Sequence, residues 1–246
     1  VKAMAAVSAF FPVLFFLIAF MIGLGSGASV LIGQAWGARE LDRVKAIAGT
    51  TLMTGLIAGL IVAVFGGGLA DMMLVALGTP ADILPGATAY ARIMLIAAPG
   101  VFTFLLVTSM LRGVGDTRTP LLTLLISTAV GLLLTPALIR GWLGLPMMGV
   151  TSGAWAAVAS YLIALAWTAR QLLRQGHALA PDAGFRRHLR IDRALLAKVL
   201  RIGLPTGLSM MTIAIAEISV LFLVNRFGSQ ATAAYGAVNQ IVSYVQ

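Results

Sequence analysis

The stretch FFPVLFFLIAFMIGLGSGASVLIGQ, Phe10–Gln34, contains 25 residues and no charged side chain. A helix needs about 20 mostly apolar residues to cross the hydrocarbon core of a bilayer. The stretch is long enough to do so, and it lacks the polar face that a surface helix of a soluble protein presents to water. It therefore predicts an integral membrane protein.

Six further apolar segments follow along the chain. The strands of a membrane barrel would be about half as long and would alternate in polarity, so we interpret all seven segments as helices. The segments are Phe10–Gln34, Ala46–Ala70, Thr88–Leu111, Thr119–Ile139, Val150–Ala169, Ile202–Val224 and Ala231–Gln246. The predicted fold class is an all-α integral membrane protein with about seven transmembrane helices.

The composition excludes several classes of site. Hydrophobic residues make up 60% of the chain and charged residues 10%, whereas soluble domains carry about 25% charged residues. Cysteine is absent, which excludes disulfides, thiol catalysis and cysteine-ligated metals. His177 and His188 share a polar link without a carboxylate cluster, so we expect no metal site. Gly23, Gly25 and Gly27 lie inside the first apolar segment, which argues against a dinucleotide loop.

The distribution of basic residues predicts the orientation in the membrane. Thirteen of the 17 lysines and arginines lie on or beside three alternate links, between segments one and two, three and four, and five and six. Basic links of membrane proteins face the cytoplasm. The net charge of +9 thus fits a membrane topology, and we expect no nucleic-acid partner.

The longest polar link, residues 175–201, precedes the sixth segment. Asp192 is a suitable helix cap. Leu195, Leu196, Val199 and Leu200 recur on one face behind it. We predict a short amphipathic helix that lies on the anionic inner leaflet, with membrane lipids as its partners.

The two ends of the chain resemble each other. Four of seven positions are identical between Ala3–Ala9 and Ala231–Ala237, at an offset of 228 residues. Transporters are often built from two repeated halves with the substrate site between them. We therefore divide the chain into a first lobe at 1–174, a basic cytoplasmic linker at 175–201 and the start of a second lobe at 202–246.

Four short motifs carry a resemblance to a known family. The stretch Gly33–Arg39 (GQAWGAR) resembles the GQ-x-x-GA close of the second helix in MATE (multidrug and toxic compound extrusion) transporters. Leu111–Pro120 (LRGVGDTRTP) resembles their RG-x-GDT-x-x-P link, and Gly149–Ala156 (GVTSGAWA) resembles the GV-x-GA-x-A start of their sixth helix. Ile202–Pro205 (IGLP) resembles the GLP entry to the seventh.

The resemblance covers the whole chain and implies a place within a longer protein. The family has twelve helices in two six-helix lobes, and this chain would supply about helices two to eight, with the first lobe lacking its first helix. Such proteins export cationic, often aromatic compounds by exchange with protons or sodium ions. The resemblance thus implies small cationic substrates, no cofactor beyond the coupling ion, a monomer and a bacterial inner membrane.

Glu217 is the leading candidate for binding the coupling ion. It is the one acidic side chain deep inside a predicted segment. A charge at the middle of a membrane helix costs about 3 kcal/mol on insertion scales and usually marks a functional site. Many family members carry a glutamate at the position that matches Ile213, one helical turn earlier. The alternative is a structural carboxyl group bonded to a neighbouring helix.

Four other residues are candidates for the substrate cavity: Thr135, Tyr235, Asn239 and Gln240. Thr135 stands where the family's N-x-x-LD-P pattern places an aspartate. Tyr235 and Asn239 lie four residues apart, on one helix face, and Gln240 follows them. Hydrogen bonding between helices is the alternative role for these polar groups.

The sequence thus favours a cation-coupled antiporter for amphipathic cations that works by alternating access. It contains no Ser–His or His–carboxylate arrangement and no nucleotide motif, so we expect no enzyme. A flippase for lipid-linked precursors, from the same superfamily, is one alternative, although no lysine or arginine lies in the middle of a segment. A seven-helix receptor is a less favoured one.

Overall fold

The structure is a computed structural model that describes residues 2–141 and 149–245, and within these ranges every regular element is helical. The α-helices are α1 (Lys2–Gly37), α2 (Leu41–Ile61), α3 (Gly67–Ala76), α4 (Leu84–Ile96), α5 (Ala98–Gly113), α6 (Arg118–Arg140), α7 (Ser152–Gln175), α8 (Ala183–Arg186), α9 (Arg193–Asn225) and α10 (Ser229–Val245). A π-helical turn, Val62–Gly66, joins α2 to α3, and a 3-10 turn, Gly149–Thr151, leads into α7. The all-α prediction is confirmed.

Most of the predicted membrane segments are long apolar helices in the structure. Five uninterrupted stretches within the described ranges are long and apolar enough to cross a bilayer, and the bent pair α4–α5 provides a sixth. The five are Met4–Gly37, Leu41–Ala76, Arg118–Arg140, Gly149–Gln175 and Arg193–Asn225. The seventh predicted segment, Ala231–Gln246, corresponds to the 17 residues of α10, and Gln246 lies outside the described residues.

A proline explains why the third predicted segment is not one straight helix. We predicted a single span at Thr88–Leu111, whereas the chain bends by 54° between α4 and α5. Pro99 stands in the first turn of α5. Proline has no backbone N–H and its ring clashes with the preceding turn, so a helix tends to break or restart at this residue.

The amphipathic stretch of the basic linker is also different from the prediction. It is not a separate helix, because Arg193–Asn225 runs without interruption as α9 and contains Pro205. The predicted cap is present: the Asp192 carboxylate accepts hydrogen bonds from the backbone N–H groups of Ala194 and Leu195, at 2.8 and 3.1 Å. The stretch after the cap therefore forms the first turns of a long helix.

Successive long helices alternate in direction, which gives the bundle two ends. We call the end with the links 38–40, 114–117 and 176–192 the basic end, and the other the opposite end. At the basic end the last link folds back on α2. The Thr50 hydroxyl donates to the carbonyl of Arg190 at 3.1 Å, and Lys45 lies 3.7 Å from the Asp182 carboxylate.

Glycines allow a close helix contact between α1 and α9. A Cβ atom on Gly23 would lie 2.7 Å from the Cα of Gly207, and one on Gly203 would collide with the carbonyl oxygen of Gly23. Gly27 faces Val199 equally closely. The backbones touch because Gly23, Gly27 and Gly203 carry no side chain at the crossing, which is the packing that small residues allow in membranes.

Large apolar side chains cover the outer surface of the bundle. Val64, Met72, Leu132, Leu133 and Phe227 are each at least 70% exposed. Extended apolar surface of this kind marks a region that contacts lipid or another apolar phase. Together with the long apolar helices, it identifies a multi-pass membrane protein.

Candidate ion and substrate sites

Glu217 lies beside the buried stripe of α9. It follows Ala214 by three residues and precedes Leu221 by four, and both neighbours are fully buried. One carboxylate oxygen, Oε2, is buried and has no hydrogen-bond partner among the described residues. A buried charged oxygen without a partner is costly. A proton or a cation at this oxygen would remove that cost.

The glycine crossing fixes the depth of Glu217 in the bundle. Gly207 contacts Gly23 on the antiparallel helix α1. Glu217 lies ten residues after Gly207 on α9, and Val13 lies ten residues before Gly23 on α1. At 1.5 Å per residue, both are about 15 Å from the crossing. The carboxyl group is therefore nearer the opposite end of the bundle than the glycine crossing.

Tyr235 and Asn239 line a cleft between α1 and α10 at about the depth of Glu217. The cleft is bounded by Val7, Ser8, Phe11, Pro12, Tyr235, Gly236 and Asn239. The two predicted residues thus share one face, as their spacing indicated. The side chain of Gln240 lies outside the described part of the structure.

Residues at equivalent positions of the sequence repeat face each other across this cleft. A Cβ atom on Gly236 would collide with the hydroxyl of Ser8, and the two residues are 228 positions apart. The cleft-lining pairs Val7 with Tyr235 and Phe11 with Asn239 have the same offset. Contact between equivalent residues is the arrangement expected where two repeated segments are related by a local two-fold axis. The first copy contributes apolar side chains here, and the second contributes polar ones.

Thr135 lies elsewhere. It is a half-buried residue on α6, a helix that packs mainly against α7 and to a smaller extent against α5. Helix α10, by contrast, packs against α1 and α9. The structure therefore does not bring Thr135 together with Tyr235 and Asn239.

A larger cavity, which the sequence did not predict, lies nearer the basic end. It has a volume of about 410 Å³ and lies between α1, α5, α6 and α9. Its polar lining residues are Ser26, Ser29, Thr108, Ser109, Arg112 and Thr206. The spacing of Ser26 to Ser29 and of Ser109 to Arg112, three residues in each case, was the available signal, because it puts each pair on one helix face.

Hydrogen bonds connect α9 and α10 to the α3–α4 region at the opposite end. Asn225, at the end of α9, donates to the carbonyl of Leu77 at 2.9 Å and accepts from the Thr232 hydroxyl at 2.9 Å. Ser229 donates to the Asp82 carboxylate at 3.0 Å. The link between α3 and α4 is thereby joined to the turn between α9 and α10. Within the described residues no three histidine or carboxylate side chains converge on a metal-sized site.

Comparison with known proteins agrees with this architecture. The sequence profile of the MatE family matches residues 1–137. The "Probable multidrug resistance protein YoeA" of Bacillus subtilis strain 168 is 44% identical over 246 residues, which is 100% of this chain and 53% of that protein. The chain thus spans about half the length of this relative.

Two solved structures show the same fold in two conformations. The inward-facing conformation of a multidrug resistance MATE family transporter of the MOP superfamily superposes with a TM-score of 0.89, at 25% identity, over 99% of this chain and 54% of that one. The outward-facing conformation of a transporter of the same description gives 0.76 at 25% identity, over 96% of this chain and 58% of that one. The profile match, the relative and the shared fold together show that this chain belongs to the MATE family of multidrug efflux transporters, which are not enzymes.

Proposed function

We propose that this chain forms part of a secondary active transporter that exports amphipathic cations from a bacterium in exchange for protons or sodium ions. The observation that carries the proposal is the buried, unpartnered carboxylate oxygen of Glu217 in a membrane helix of a MATE family chain. The transporter acts as a monomer in the inner membrane, with the basic end in the cytoplasm. It needs no cofactor besides the coupling ion.

In this proposal Glu217 binds the coupling ion and the cationic substrate in turn. The ion neutralises the carboxylate when it binds, and the charged form attracts a cationic substrate after the ion leaves. Each ligand favours a different arrangement of the two halves, which is the condition for alternating access. The depth shared by Glu217 and the α1–α10 cleft supports this exchange, because both groups are reached from the same level of the bundle.

The cleft supplies two kinds of contact for an amphipathic substrate. Phe11 and Val7 offer an aromatic and an apolar surface, while Tyr235 and Asn239 offer polar groups. An aromatic ring also attracts a cation placed over its face. Gln240 follows Asn239 on the same helix and completes the proposed set on α10. Thr135, on the separate helix α6, does not belong to this cleft.

The exporter is preferred over the flippase because an amphipathic cation matches the carboxylate at Glu217. Membership of a transporter family also sets aside the seven-helix receptor. The proposal is tested by expressing the complete gene that encodes this chain in an efflux-deficient bacterium and measuring extrusion of a fluorescent cationic dye. We expect Glu217→Gln to reduce the rate at least about tenfold, since a buried charge-pairing site is lost.

The matched control is Glu40→Gln, which makes the same chemical change at an exposed carboxylate paired with Arg43 at the basic end. It should keep the wild-type rate at equal protein level. Collapse of the proton or the sodium gradient then identifies the coupling ion. Undiminished extrusion by Glu217→Gln would contradict the role of this carboxylate.

A further inference from the structure

The cavity near the basic end, here called the inner cavity, is built by both halves of the chain. Helices α1, α5 and α6 belong to the first half, and Thr206 on α9 belongs to the second. Its volume of about 410 Å³ falls within the range of small-molecule sites, about 300–1,000 Å³. The cavity is separate from Glu217, which lies 11 residues, or about 16 Å, beyond Thr206 along α9.

The hydroxyl groups of the inner cavity differ from most others in this chain. Helical hydroxyls such as those of Thr51, Thr168 and Thr212 donate to the carbonyl four residues earlier, at 2.8 Å in each case. Such bonding satisfies a hydroxyl inside a membrane helix. Four hydroxyls that line the cavity make no hydrogen bond to any other described residue. They belong to Ser26, Ser29, Ser109 and Thr206.

The charge of the inner cavity is positive. Among its lining side chains in the described part of the chain, Arg112 is the one that carries a charge, and no carboxylate lines the cavity. Arg112 forms no ion pair with another described residue. Asp116, one turn further along, accepts a hydrogen bond from the backbone N–H of Thr119 at 3.0 Å. The guanidinium therefore remains available to a ligand.

We propose that the inner cavity binds an anionic group, a phosphate or a carboxylate, carried by an amphipathic molecule. The guanidinium of Arg112 presents parallel N–H groups that match the oxygens of either group. The four free hydroxyls add donors, and Phe104 and Leu105 offer apolar surface for the rest of the ligand. This ligand class goes beyond the cations of the proposed function, and it binds at a different place.

A binding measurement tests this proposal. The complete gene product is purified in nanodiscs of phosphatidylcholine, and fluorescein, an aromatic anion, is titrated against it with fluorescence anisotropy as the readout. Loss of a charge-assisted hydrogen bond typically weakens binding about tenfold or more. We therefore expect Arg112→Gln to raise the dissociation constant by at least about tenfold, and Ser29→Ala with Ser109→Ala to raise it less.

Two control variants distinguish loss of the binding site from misfolding and from nonspecific electrostatic attraction. Arg112→Lys keeps the charge and should retain part of the affinity. Arg118→Gln removes an arginine of the same link that does not line the cavity, and it should bind fluorescein like the wild type. Absence of fluorescein binding by the wild type, or equal binding by Arg112→Gln and Arg118→Gln, would overturn the proposal.

Competition distinguishes two sources of the anion. Displacement of fluorescein by phosphatidylglycerol in the nanodisc assigns the site to a lipid headgroup, and displacement by inorganic phosphate assigns it to a soluble anion. Either result supports an anion site at Arg112. Fluorescein binding needs no ion gradient and does not involve Glu217. A failure of the anion site and a failure of cation export are therefore distinguishable.

Discussion

Asn225 and Glu217 are polar side chains on α9 that differ in their hydrogen bonding. Asn225 is only 4% exposed, and both ends of its amide are hydrogen bonded, to Leu77 and to Thr232. The buried oxygen of Glu217 has no such partner among the described residues. Structural polar groups in protein interiors are nearly always bonded. The contrast supports an ion-binding role for Glu217 and a structural role for Asn225.

The surroundings of His177, at the basic end, affect the protonation of its ring. The backbone N–H of Leu179 donates to its Nδ1 atom at 3.2 Å, so this nitrogen carries no proton in the observed contact. Burial lowers the pKa of the imidazole, and the nearby charge of Asp116 opposes this effect only in part. The folded state therefore favours the neutral ring.

A pH-dependent stability follows from the lowered pKa of His177. The contribution of His177 to the free energy of unfolding is fully present above the unfolded histidine pKa of about 6.5. It is lost as the pH falls through that value towards the lower pKa of the folded state. We expect the wild type to lose thermal stability when the pH is lowered from about 7.5 to about 5.5, and His177→Gln to lose less. Size-exclusion chromatography after heating measures this difference, and an equal loss in both proteins would contradict it.

At the scale of helices, glycines determine how closely α1 and α9 approach at their crossing. Gly23 and Gly27 on one helix meet Val199, Gly203 and Gly207 on the other, with backbone against backbone. A Cβ atom on Gly23, Gly27 or Gly203 would lie within 3 Å of the neighbouring main chain, so glycine is required at these three positions. Gly23 and Gly27, whose spacing in the sequence resembles that of a dinucleotide-binding loop, thus have a packing role.

A matched pair of substitutions tests the crossing. A Cβ atom on Gly27 would collide with the carbonyl oxygen of Val199, whereas one on the exposed helical Gly68 would meet nothing within 4 Å. We expect Gly27→Ala to destabilise the protein by about 1–3 kcal/mol. Gly68→Ala should be neutral or stabilise it by up to about 1 kcal/mol. Both are measured as shifts of the thermal transition in detergent, and equal stability of the two variants would argue against the crossing.

The sequence predicted the helices well and their interactions poorly. Apolar runs such as Phe10–Gln34 identify membrane helices because the bilayer imposes one minimum length on every span. The bend before Pro99, the uninterrupted course of α9 and the inner cavity depend on packing between distant parts of the chain. Tyr235 and Asn239 were found from their shared helix face, whereas Ser26, Arg112 and Thr206 meet only after folding.

At the scale of the whole molecule, α1 and α10 meet at Ser8 and Gly236, the point where the sequence repeat predicts that two halves face each other. At the opposite end, the hydrogen bonds of Asn225 and Ser229 join α9 and α10 to the α3–α4 region. The chain superposes more closely on the inward-facing transporter than on the outward-facing one, with TM-scores of 0.89 and 0.76. In the proposed transport cycle, α1 and α10 must separate here when the protein opens to the outside.

The most direct test of this account is a reversible crosslink between α1 and α10, in the complete gene product with Ser8→Cys and Gly236→Cys. These 246 residues contain no cysteine. An ideal Cβ atom on Gly236 lies 2.5 Å from the Ser8 Cβ, so the helices must part by about 1 Å to accommodate a disulfide. Cationic-dye efflux is measured after oxidation and again after reduction, with Ser8→Cys alone as the control. We predict that oxidation stops efflux in the double variant only and that reduction restores it; full efflux from completely crosslinked protein would contradict the account.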